Sequence, residues 1–384
     1  MRWHHHLYGR TFEQAGEGRS LGRATRGLSP AAMTQAYMDW PVHPAISPGK
    51  QQELREKAQR KLTRLLLHEQ GAWASREMII CRFACAATAG AIPMPTADFP
   101  DRKYLIDARE LGERLGALTL IDLRPAEDFS LGHIEGSRHL DLYGVSLNDS
   151  SDAPLNAFLS IFQILFGSRG VSRDKPVVIY DHETGERAAR AVWLLAVLGH
   201  PDVRILDGGA QAWTASGKRL VRLTAAPAPA DPAKAPPASP PYKGTQNLDL
   251  LATRFDVHRA IDDEQTVIVD VRRESEYRGT EKRARRAGTI PGAVHIFWRD
   301  HLDHKGAFRP AEEIRDLYVS RGVTPDKTII PLCQGGYRSA NTFLALKSLG
   351  YPRVRNYVAS WREWGNREDS TIVVPEPGPS GAAV

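Results

Sequence analysis

One segment of the sequence has the residue types and spacing for nucleophilic chemistry: Cys333-Gln334-Gly335-Gly336-Tyr337-Arg338. It follows an apolar run, and its two glycines let the chain curl tightly with backbone N–H groups turned inward. Inward amides and the N-terminus of a following helix favour negative charge, which lowers the pKa of a thiol. Arg338 adds a fixed positive charge and a fork that suits an oxyanion. The segment therefore predicts a thiolate nucleophile, Cys333, beside an anion cradle, with Ser339 capping the next helix.

A buried, inert cysteine at the end of a strand is the alternative reading of Cys333, and it is a common one for lone cysteines. The two glycines and Arg338 favour the catalytic interpretation, since an inert cysteine needs neither. The cysteine count also bears on metal binding, because Cys81 and Cys85 lie four apart without a nearby partner. His301 and His304 likewise lack a third ligand, so we predict no metal site and no cofactor.

The elements that must position Cys333 are a strand before it and a helix after it. Short apolar runs rich in Val and Ile predict buried strands of a parallel sheet at 118–123, 177–180, 266–271 and 328–332. Amphipathic helices are predicted at 188–198 and 339–349, and both end in Leu-Gly, where the glycine acts as a left-handed stop. Alternating strands and helices of this kind indicate an α/β fold.

An internal repeat divides the body of the chain. Gly170-Val171-Ser172-Arg173-Asp174-Lys175 reappears as Gly322-Val323-Thr324-Pro325-Asp326-Lys327, and further matches follow in the same order on both sides. Collinear matches favour duplication over chance. Aligned from the shared Gly-Val, Asp181 falls opposite Cys333, so the first copy lacks the nucleophile. Asp122 and Arg124 recur as Asp270 and Arg272 in the second copy, which favours a structural role, either as an ion pair or in a turn.

Composition supplies the domain boundaries. Residues 225–241 hold seven prolines among 17 residues, which indicates a semi-rigid linker. We therefore predict a poorly patterned extension over 1–93, a silent domain over 94–224, the linker, a catalytic domain over 242–374 and a flexible tail over 375–384. Within the extension, 51–69 is predicted to be a helix. The extension is interpreted either as an added arm or targeting segment, or as the product of an upstream start codon with Met94 as the natural start.

Charge and hydropathy exclude several function classes. The net charge of +6 comes from residues 1–93, where 13 Lys and Arg face 7 Asp and Glu, so the body is neutral and gives no sign of nucleic-acid binding. No run of 18 apolar residues predicts a membrane span, and the N-terminus lacks the apolar core of a signal peptide. Three cysteines fit a reducing compartment. We expect a cytoplasmic protein, monomeric and without a membrane partner.

Over about residues 99–372, the sequence resembles a tandem-domain rhodanese. This is the family of thiosulfate and 3-mercaptopyruvate sulfurtransferases. The resemblance rests on the two βα-rich copies, the Cys-x-x-x-x-Arg loop after a strand, and the stretch that holds Trp361 and Trp364. The resemblance implies two tandem domains, each a parallel sheet flanked by helices, of which only the second is catalytic. It also implies a sulfurtransferase in which Cys333 takes a sulfane sulfur from a small anionic donor and passes it to a thiophilic acceptor, cyanide or a thiol. Gln334, Gly335, Gly336, Tyr337 and Arg338 would form the substrate-binding loop.

The sequence departs from this family at two places. Gln334 and Gly335 replace the basic pair typical of thiosulfate enzymes and the Gly-Ser-Gly typical of mercaptopyruvate enzymes. Glu276 occupies a position where members often have an arginine, and Arg278, two residues on, is our candidate replacement for substrate binding. Thiosulfate is the expected donor and 3-mercaptopyruvate the alternative. The basic insertion at 279–287 is interpreted as a solvated loop, with steering of anions as the alternative.

Two rival functions use the same loop. Cysteine phosphatases and arsenate reductases carry Cys-x5-Arg, a larger ring than the Cys-x4-Arg here, and the tighter ring suits a terminal sulfur better than a phosphoryl group. The second rival is a non-enzymatic module that carries a persulfide to a protein partner.

Overall fold

The computed structural model describes residues 98–223 and 239–376. The leading segment with its predicted helix at 51–69, Cys81 and Cys85, most of the Pro-rich linker and the end of the tail lie outside these ranges. Between residues 98 and 376, none of the described helices is long and apolar enough to cross a membrane.

The first copy is a five-stranded parallel sheet in the order β1-β5-β4-β2-β3, with helices between the strands. Its strands are β1 Leu105–Ile106, β2 Thr119–Asp122, β3 Arg138–His139, β4 Val177–Tyr180 and β5 Val203–Leu206. Its helices are α1 Ala108–Arg114, α2 Ala126–Leu131, α3 Asp152–Gly167, α4 Glu186–Val197 and α5 Gly209–Ala215.

The second copy repeats this strand order. Strands β8-β7-β9 form one parallel set and β10-β6 another, and a parallel bridge between Ile329 and Val354 joins the two sets. The strands are β6 Leu251–Ala252, β7 Thr266–Asp270, β8 Val294–His295, β9 Thr328–Leu332 and β10 Asn356–Tyr357. The helices are α6 Arg254–Ala260, α7 Glu274–Tyr277, α8 Ala311–Val319, α9 Arg338–Ser348 and α10 Ser360–Trp364. The order β6-β10-β9-β7-β8 matches the first copy position by position.

The α/β fold of two tandem parallel sheets is confirmed, and the predicted elements agree with it closely. Strands β4 and β9 have the predicted bounds, while β2 and β7 are shorter by one or two residues. Helices α4 and α9 start and end within two residues of the prediction. The glycines after them, Gly199 and Gly350, have φ of 81° and 85°, the left-handed conformation expected of a helix stop.

The two copies share one apolar core. Helix α4 of the first copy packs against α9 of the second, and one continuous cluster of buried side chains runs through both. Ala189, Trp193, Phe343 and Leu344 are fully buried within it. Because α9 begins directly after the cysteine loop, this packing holds the loop of the second copy against the first.

Candidate active site

Cys333 follows β9 directly, and the loop after it is fixed by backbone contacts. The Cys333 N–H donates to Ser360 Oγ at 3.1 Å, and the Trp361 N–H donates to the Cys333 carbonyl at 3.0 Å. Gly336 has φ of 82°, and a Cβ there would lie 2.6 Å from the Val358 carbonyl oxygen. Only glycine fits that position without strain, so the chain can curl around the sulfur atom as the sequence predicts.

The Cys333 thiol is buried and electrostatically activated. The residue is 1% exposed and lies at the floor of a cavity. Burial raises the pKa of the thiol, but the Arg338 guanidinium, the Ser339 hydroxyl and a loop amide more than offset it, so the pKa lies below its usual value. The interpretation of Cys333 as an inert core cysteine does not account for a lowered pKa at a cavity floor.

Ser339 has a different role from the one predicted. Helix α9 begins at Arg338, its N-cap is Tyr337, and no side chain caps it. The Ser339 hydroxyl instead donates to Cys333 Sγ at 3.4 Å. The prediction of a serine cap is therefore wrong: Ser339 lies inside the helix, where its hydroxyl reaches the sulfur and favours the thiolate.

Arg338 is placed beside Cys333 as predicted, but its fork is occupied. Its two terminal nitrogens donate to the Glu276 carboxylate at 2.6 and 3.0 Å, and both side chains are buried. Burial raises the pKa of Glu276, and the hydrogen bonds and charge of Arg338 lower it further than burial raises it. The expectation of a free fork for an oxyanion therefore fails, because Glu276 already accepts both hydrogen bonds. The charge of Arg338 still acts on the thiol.

The cavity above Cys333 measures about 590 Å³ and lies between the two copies. The first copy contributes Tyr143, Gly144, Ser146 and Glu186, and the second contributes Arg273, Glu281, Arg283, Phe297, Trp298, Arg299, Cys333, Gln334, Gly335, Tyr337, Arg338 and Arg362. Five arginines against two glutamates make the lining basic, which suits an anionic substrate.

Arg362 is a cavity-lining arginine close to the loop. Its Nε lies 3.6 Å from the position of a Cβ on Gly335, and its backbone N–H donates to the Gln334 carbonyl at 2.9 Å. No described carboxylate lies within salt-bridge distance of its guanidinium, whereas Arg299 pairs with Glu183 at 2.5 Å. Arg362 thus offers the unoccupied fork that the sequence assigns to Arg338.

The remaining predicted site residues are partly brought together. Gln334, Gly335 and Tyr337 line the cavity with Cys333 and Arg338, while Gly336 shapes the loop behind it. Arg278 is not among the lining residues. Its Nε bonds Glu274 at 2.7 Å and its terminal nitrogen donates to the Glu376 carbonyl at 2.8 Å. The structure therefore gives Arg278 a half-buried position after α7, outside the cavity lining and paired with Glu274.

Residues of the basic insertion at 279–287 have two different roles. Arg283 lines the cavity, and Gln334 Nε2 donates to its carbonyl at 3.0 Å. Arg286 instead donates to the carbonyls of Ser370 and Arg367 and holds the segment that follows α10. The insertion therefore lines the cavity with Glu281 and Arg283 and serves as a structural clamp at Arg286.

Asp181 directly follows β4, the equivalent of β9, and so occupies the position of Cys333 in the first copy. Burial raises the pKa of its carboxyl group. The predicted ion pairs are present in both copies: Arg124 contacts Asp122 at 2.7 Å and Arg272 contacts Asp270 at 2.6 Å. The two copies therefore share the same buried ion pair but have different residues at the nucleophile position.

Sequence reasoning missed Ser360, Glu186 and Arg362 as site residues. Ser360 has φ of 53°, which is unusual for a residue other than glycine, and its side chain bonds the Cys333 N–H. Arg362 had a signal in the sequence, since it stands between two buried tryptophans on one short helix. Glu186 lies across the cavity from the loop, and burial raises the pKa of its carboxyl group.

The described residues hold no group of three or more His, Cys, Asp or Glu side chains placed to share a metal ion. His301 is fully buried and bonds Tyr318 at 2.9 Å and Asn341 at 2.6 Å, and burial lowers its pKa to about 4. These contacts give His301 a structural role in the core.

The sequence is similar to curated sulfur-handling proteins. It is 35% identical over 278 residues to the thiosulfate sulfurtransferase of Pseudomonas aeruginosa, covering 72% of this chain and 99% of that protein. The thiosulfate sulfurtransferase of Azotobacter vinelandii is 36% identical, with 72% and 98% covered. The sulfur carrier protein TtuD of Thermus thermophilus is 35% identical, with 62% and 84% covered.

Among solved structures, the anaerobic ergothioneine biosynthesis enzyme of Chlorobium limicola superposes with a TM-score of 0.61 at 20% identity, covering 77% of this chain and 76% of that one. This likeness shows the shared fold. A model described as "Poly-beta-hydroxybutyrate polymerase N terminal" matches residues 19–50, outside the described structure. The rhodanese-like domain model matches twice, at residues 107–216 and 253–367, and so covers more than half of the chain and both copies. The chain therefore belongs to the rhodanese-like family, as a tandem pair of its domains.

Proposed function

We propose that this sulfurtransferase carries sulfur as a persulfide on Cys333 and that thiosulfate is its donor. The observation that carries the proposal is a thiol with a lowered pKa at the floor of an arginine-lined cavity. The thiolate attacks the outer sulfur of thiosulfate, a new S–S bond forms, and sulfite leaves with the electron pair of the old bond. Cyanide or a thiol then takes the outer sulfur, and Cys333 returns as a thiolate.

The oxygens of the donor need positive charge at the mouth of the loop. Arg362 has a free guanidinium there, and Arg283 reaches the same cavity from the basic insertion. The amides of the loop add hydrogen-bond donors around the sulfur. The charge of Arg338, neutralised in part by Glu276, stabilises the thiolate more than it binds the donor.

Mass spectrometry of the intact protein tests the persulfide. After treatment with thiosulfate, the wild type gains the mass of one sulfur atom and Cys333→Ser gains none. Because the chain has two other cysteines, Cys81→Ser with Cys85→Ser is the matched control, and it must gain one sulfur like the wild type. Turnover by Cys333→Ser, or a loaded sulfur elsewhere, would refute the assignment.

The donor is tested by comparing kcat/KM for thiosulfate and 3-mercaptopyruvate. The similarity to thiosulfate sulfurtransferases of two bacteria favours thiosulfate. Arg362→Met should raise the KM for thiosulfate about tenfold, since one charge-assisted contact contributes about 1.5 kcal/mol. Arg278→Met removes an ion-paired arginine outside the cavity lining, and as the control it should leave KM unchanged. A higher kcat/KM with 3-mercaptopyruvate would replace the proposed donor.

A persulfide carrier for a protein partner is the second candidate, favoured by the 35% identity to the sulfur carrier protein TtuD. Multiple turnovers with thiosulfate and cyanide support the enzyme, whereas a single slow exchange supports the carrier. Three cysteines in 384 residues fit a reducing compartment, so the cytoplasm is the proposed location. A monomer is the proposed state, to be checked by sedimentation.

A further inference from the structure

Arg190, on α4 of the silent copy, carries a buried guanidinium without a counter-ion. The residue is 1% exposed, and none of its three side-chain nitrogens has a hydrogen-bond partner among the described residues. A buried arginine is ordinarily paired, because an uncompensated charge in the interior destabilises the folded protein. Packing alone does not explain why a charged side chain occupies this position.

Aromatic rings surround this guanidinium. Its central carbon lies 3.9 Å from the centroid of the Tyr337 ring and 5.5 Å from the centroids of Phe158 and Phe162. The faces of aromatic rings attract cations, so the three rings partly replace water around the charge without neutralising it. A carboxylate partner would cancel the field of the arginine; an aromatic cage leaves that field in place.

Tyr337 links the cage to the nucleophile. It belongs to the loop that starts at Cys333, and its hydroxyl donates to the Leu142 carbonyl at 2.8 Å and accepts from the Gly144 N–H at 3.2 Å. The ring is thus clamped between Arg190 on one side and the backbone of the silent copy on the other. Burial lowers the pKa of Arg190 to about 10, and the anionic forms of Tyr337 and Cys333 favour its charged state.

We propose that Arg190 is a positioning residue of the silent copy, whose unneutralised charge favours the Cys333 thiolate and whose stacking on Tyr337 fixes the loop. This rests on the proposed function only in taking Cys333 as the nucleophile. It assigns the silent copy a part in the chemistry: the copy that lost its own nucleophile supplies a cation to the other.

Other charges act on the same thiol. Arg338, which is paired with Glu276, acts on it electrostatically, Ser339 donates to it, and Arg362 and Glu186 line the same cavity. Arg338 and Glu276 largely cancel each other's charge at a distance, and Arg362 is open to solvent in the cavity. Arg190 is both buried and unpaired, so its effect on the thiol is less screened by water.

The test is the thiol pKa of Arg190→Met in the full-length chain. Alkylation by iodoacetamide is followed from pH 5 to pH 10 in the tryptic peptide from Thr328 to Arg338, which separates Cys333 from Cys81 and Cys85. We expect the thiol pKa to rise by about one unit, so that alkylation below that pKa is roughly tenfold slower. No sulfur donor is used, so the result is independent of the persulfide proposal.

Thermal unfolding distinguishes this role from a structural one. Met has a similar length and no charge, so removing the unpaired guanidinium should raise the unfolding midpoint while the thiol becomes less reactive. Arg190→Lys keeps a positive charge below neutral pH and should keep the low thiol pKa. Arg204→Met removes an ion-paired arginine of the same copy and should leave the thiol unchanged.

Two results would overturn the proposal. An unchanged thiol pKa in Arg190→Met means that its charge does not act on Cys333. A thiol pKa raised equally in Arg190→Lys means that loop geometry, and not charge, sets it. If the Met variant is insoluble, Arg190→Gln repeats the same measurement with a neutral polar side chain.

Discussion

Removing Arg338 alone and removing it together with Glu276 should separate the stability of the site from its reactivity. The two side chains form a bidentate pair at 2.6 and 3.0 Å, with Glu276 fully buried and Arg338 nearly so. Arg338→Met leaves the Glu276 carboxylate without its partner in the interior. The double variant Arg338→Met with Glu276→Gln removes both charges and leaves no stranded ion.

The magnitude follows from the geometry. Two unit charges about 4 Å apart attract by about 4 kcal/mol at the effective dielectric of a partly solvated site. Stranding one partner of a buried pair costs about 3–5 kcal/mol, whereas replacing both partners is close to neutral. The single variant should therefore lose about 4 kcal/mol of unfolding free energy, and the double variant should recover most of it. Arg283, 3.5 Å from Glu276 and half exposed, adds little to this balance.

The pKa of the Cys333 thiol should respond to these substitutions differently from the stability of the fold. Among the groups that lower the pKa of Cys333, Arg338 has the largest effect. Because both variants lack Arg338, the thiol pKa should rise by one unit or more in each. Urea unfolding measures the first effect, and the pH dependence of Cys333 alkylation measures the second. The reasoning is refuted if the double variant regains the reactive thiol together with its stability, because Arg338 would then act only through the fold.

Three further predictions concern the loop, the domain interface and the extension. Gly336→Ala should lower the free energy of unfolding by about 2 kcal/mol or more and slow sulfur transfer, because its Cβ would lie 2.6 Å from the Val358 carbonyl oxygen at a φ of 82°. Gly335→Ala is the control, since its Cβ would make only ordinary contacts. Equal losses of stability and activity in both variants would contradict the loop argument. Burial raises the pKa of Asp207 to about 6, so the folded protein binds the carboxyl proton of Asp207 more tightly than the unfolded chain does. The stability that this proton contributes is lost as pH rises through 6. In urea unfolding, Asp207→Asn should match the wild type near pH 4 and exceed it by about 3 kcal/mol at pH 8; a constant difference would rule this out. A chain that starts at Met94 should give the same circular dichroism and turnover as the full chain, and its insolubility would show that the extension contributes to the core.

The elements around the nucleophile could be read from the sequence because their signals are local. A buried parallel strand is a short continuous apolar run, and β4 and β9 have the predicted bounds. A helix that ends in Leu-Gly has its stop signal in the last two residues, and Gly199 and Gly350 have the expected left-handed φ. The duplication gives each element two separate signals in the sequence, one in each copy.

The partners of the nucleophile could not be read because they come from distant parts of the chain. Glu276 is 62 residues from Arg338, and in the sequence it stands out only as a departure from the family pattern. Nothing local shows that its carboxylate turns inward to occupy the arginine fork. The same holds for Ser360, whose hydroxyl accepts the Cys333 N–H from 27 residues away. Side-chain pairing across elements depends on tertiary packing, which periodicity does not encode.

The two copies have the same fold but differ in the residue at the end of the strand that precedes the loop. Each keeps the carboxylate–arginine pair behind its second strand, Asp122 with Arg124 and Asp270 with Arg272, because that pair closes a buried turn whatever the chemistry. At the end of β4, the Asp181 carboxyl group, with a raised pKa, occupies the position that the Cys333 thiol has in the second copy, and a carboxyl group has no sulfur atom with which to form a persulfide. The first copy nevertheless lines one wall of the cavity and packs beneath the loop. That geometry depends on the first copy: without it, the loop after Cys333 would lose the surface against which Tyr337 is held, and the cavity would open to water.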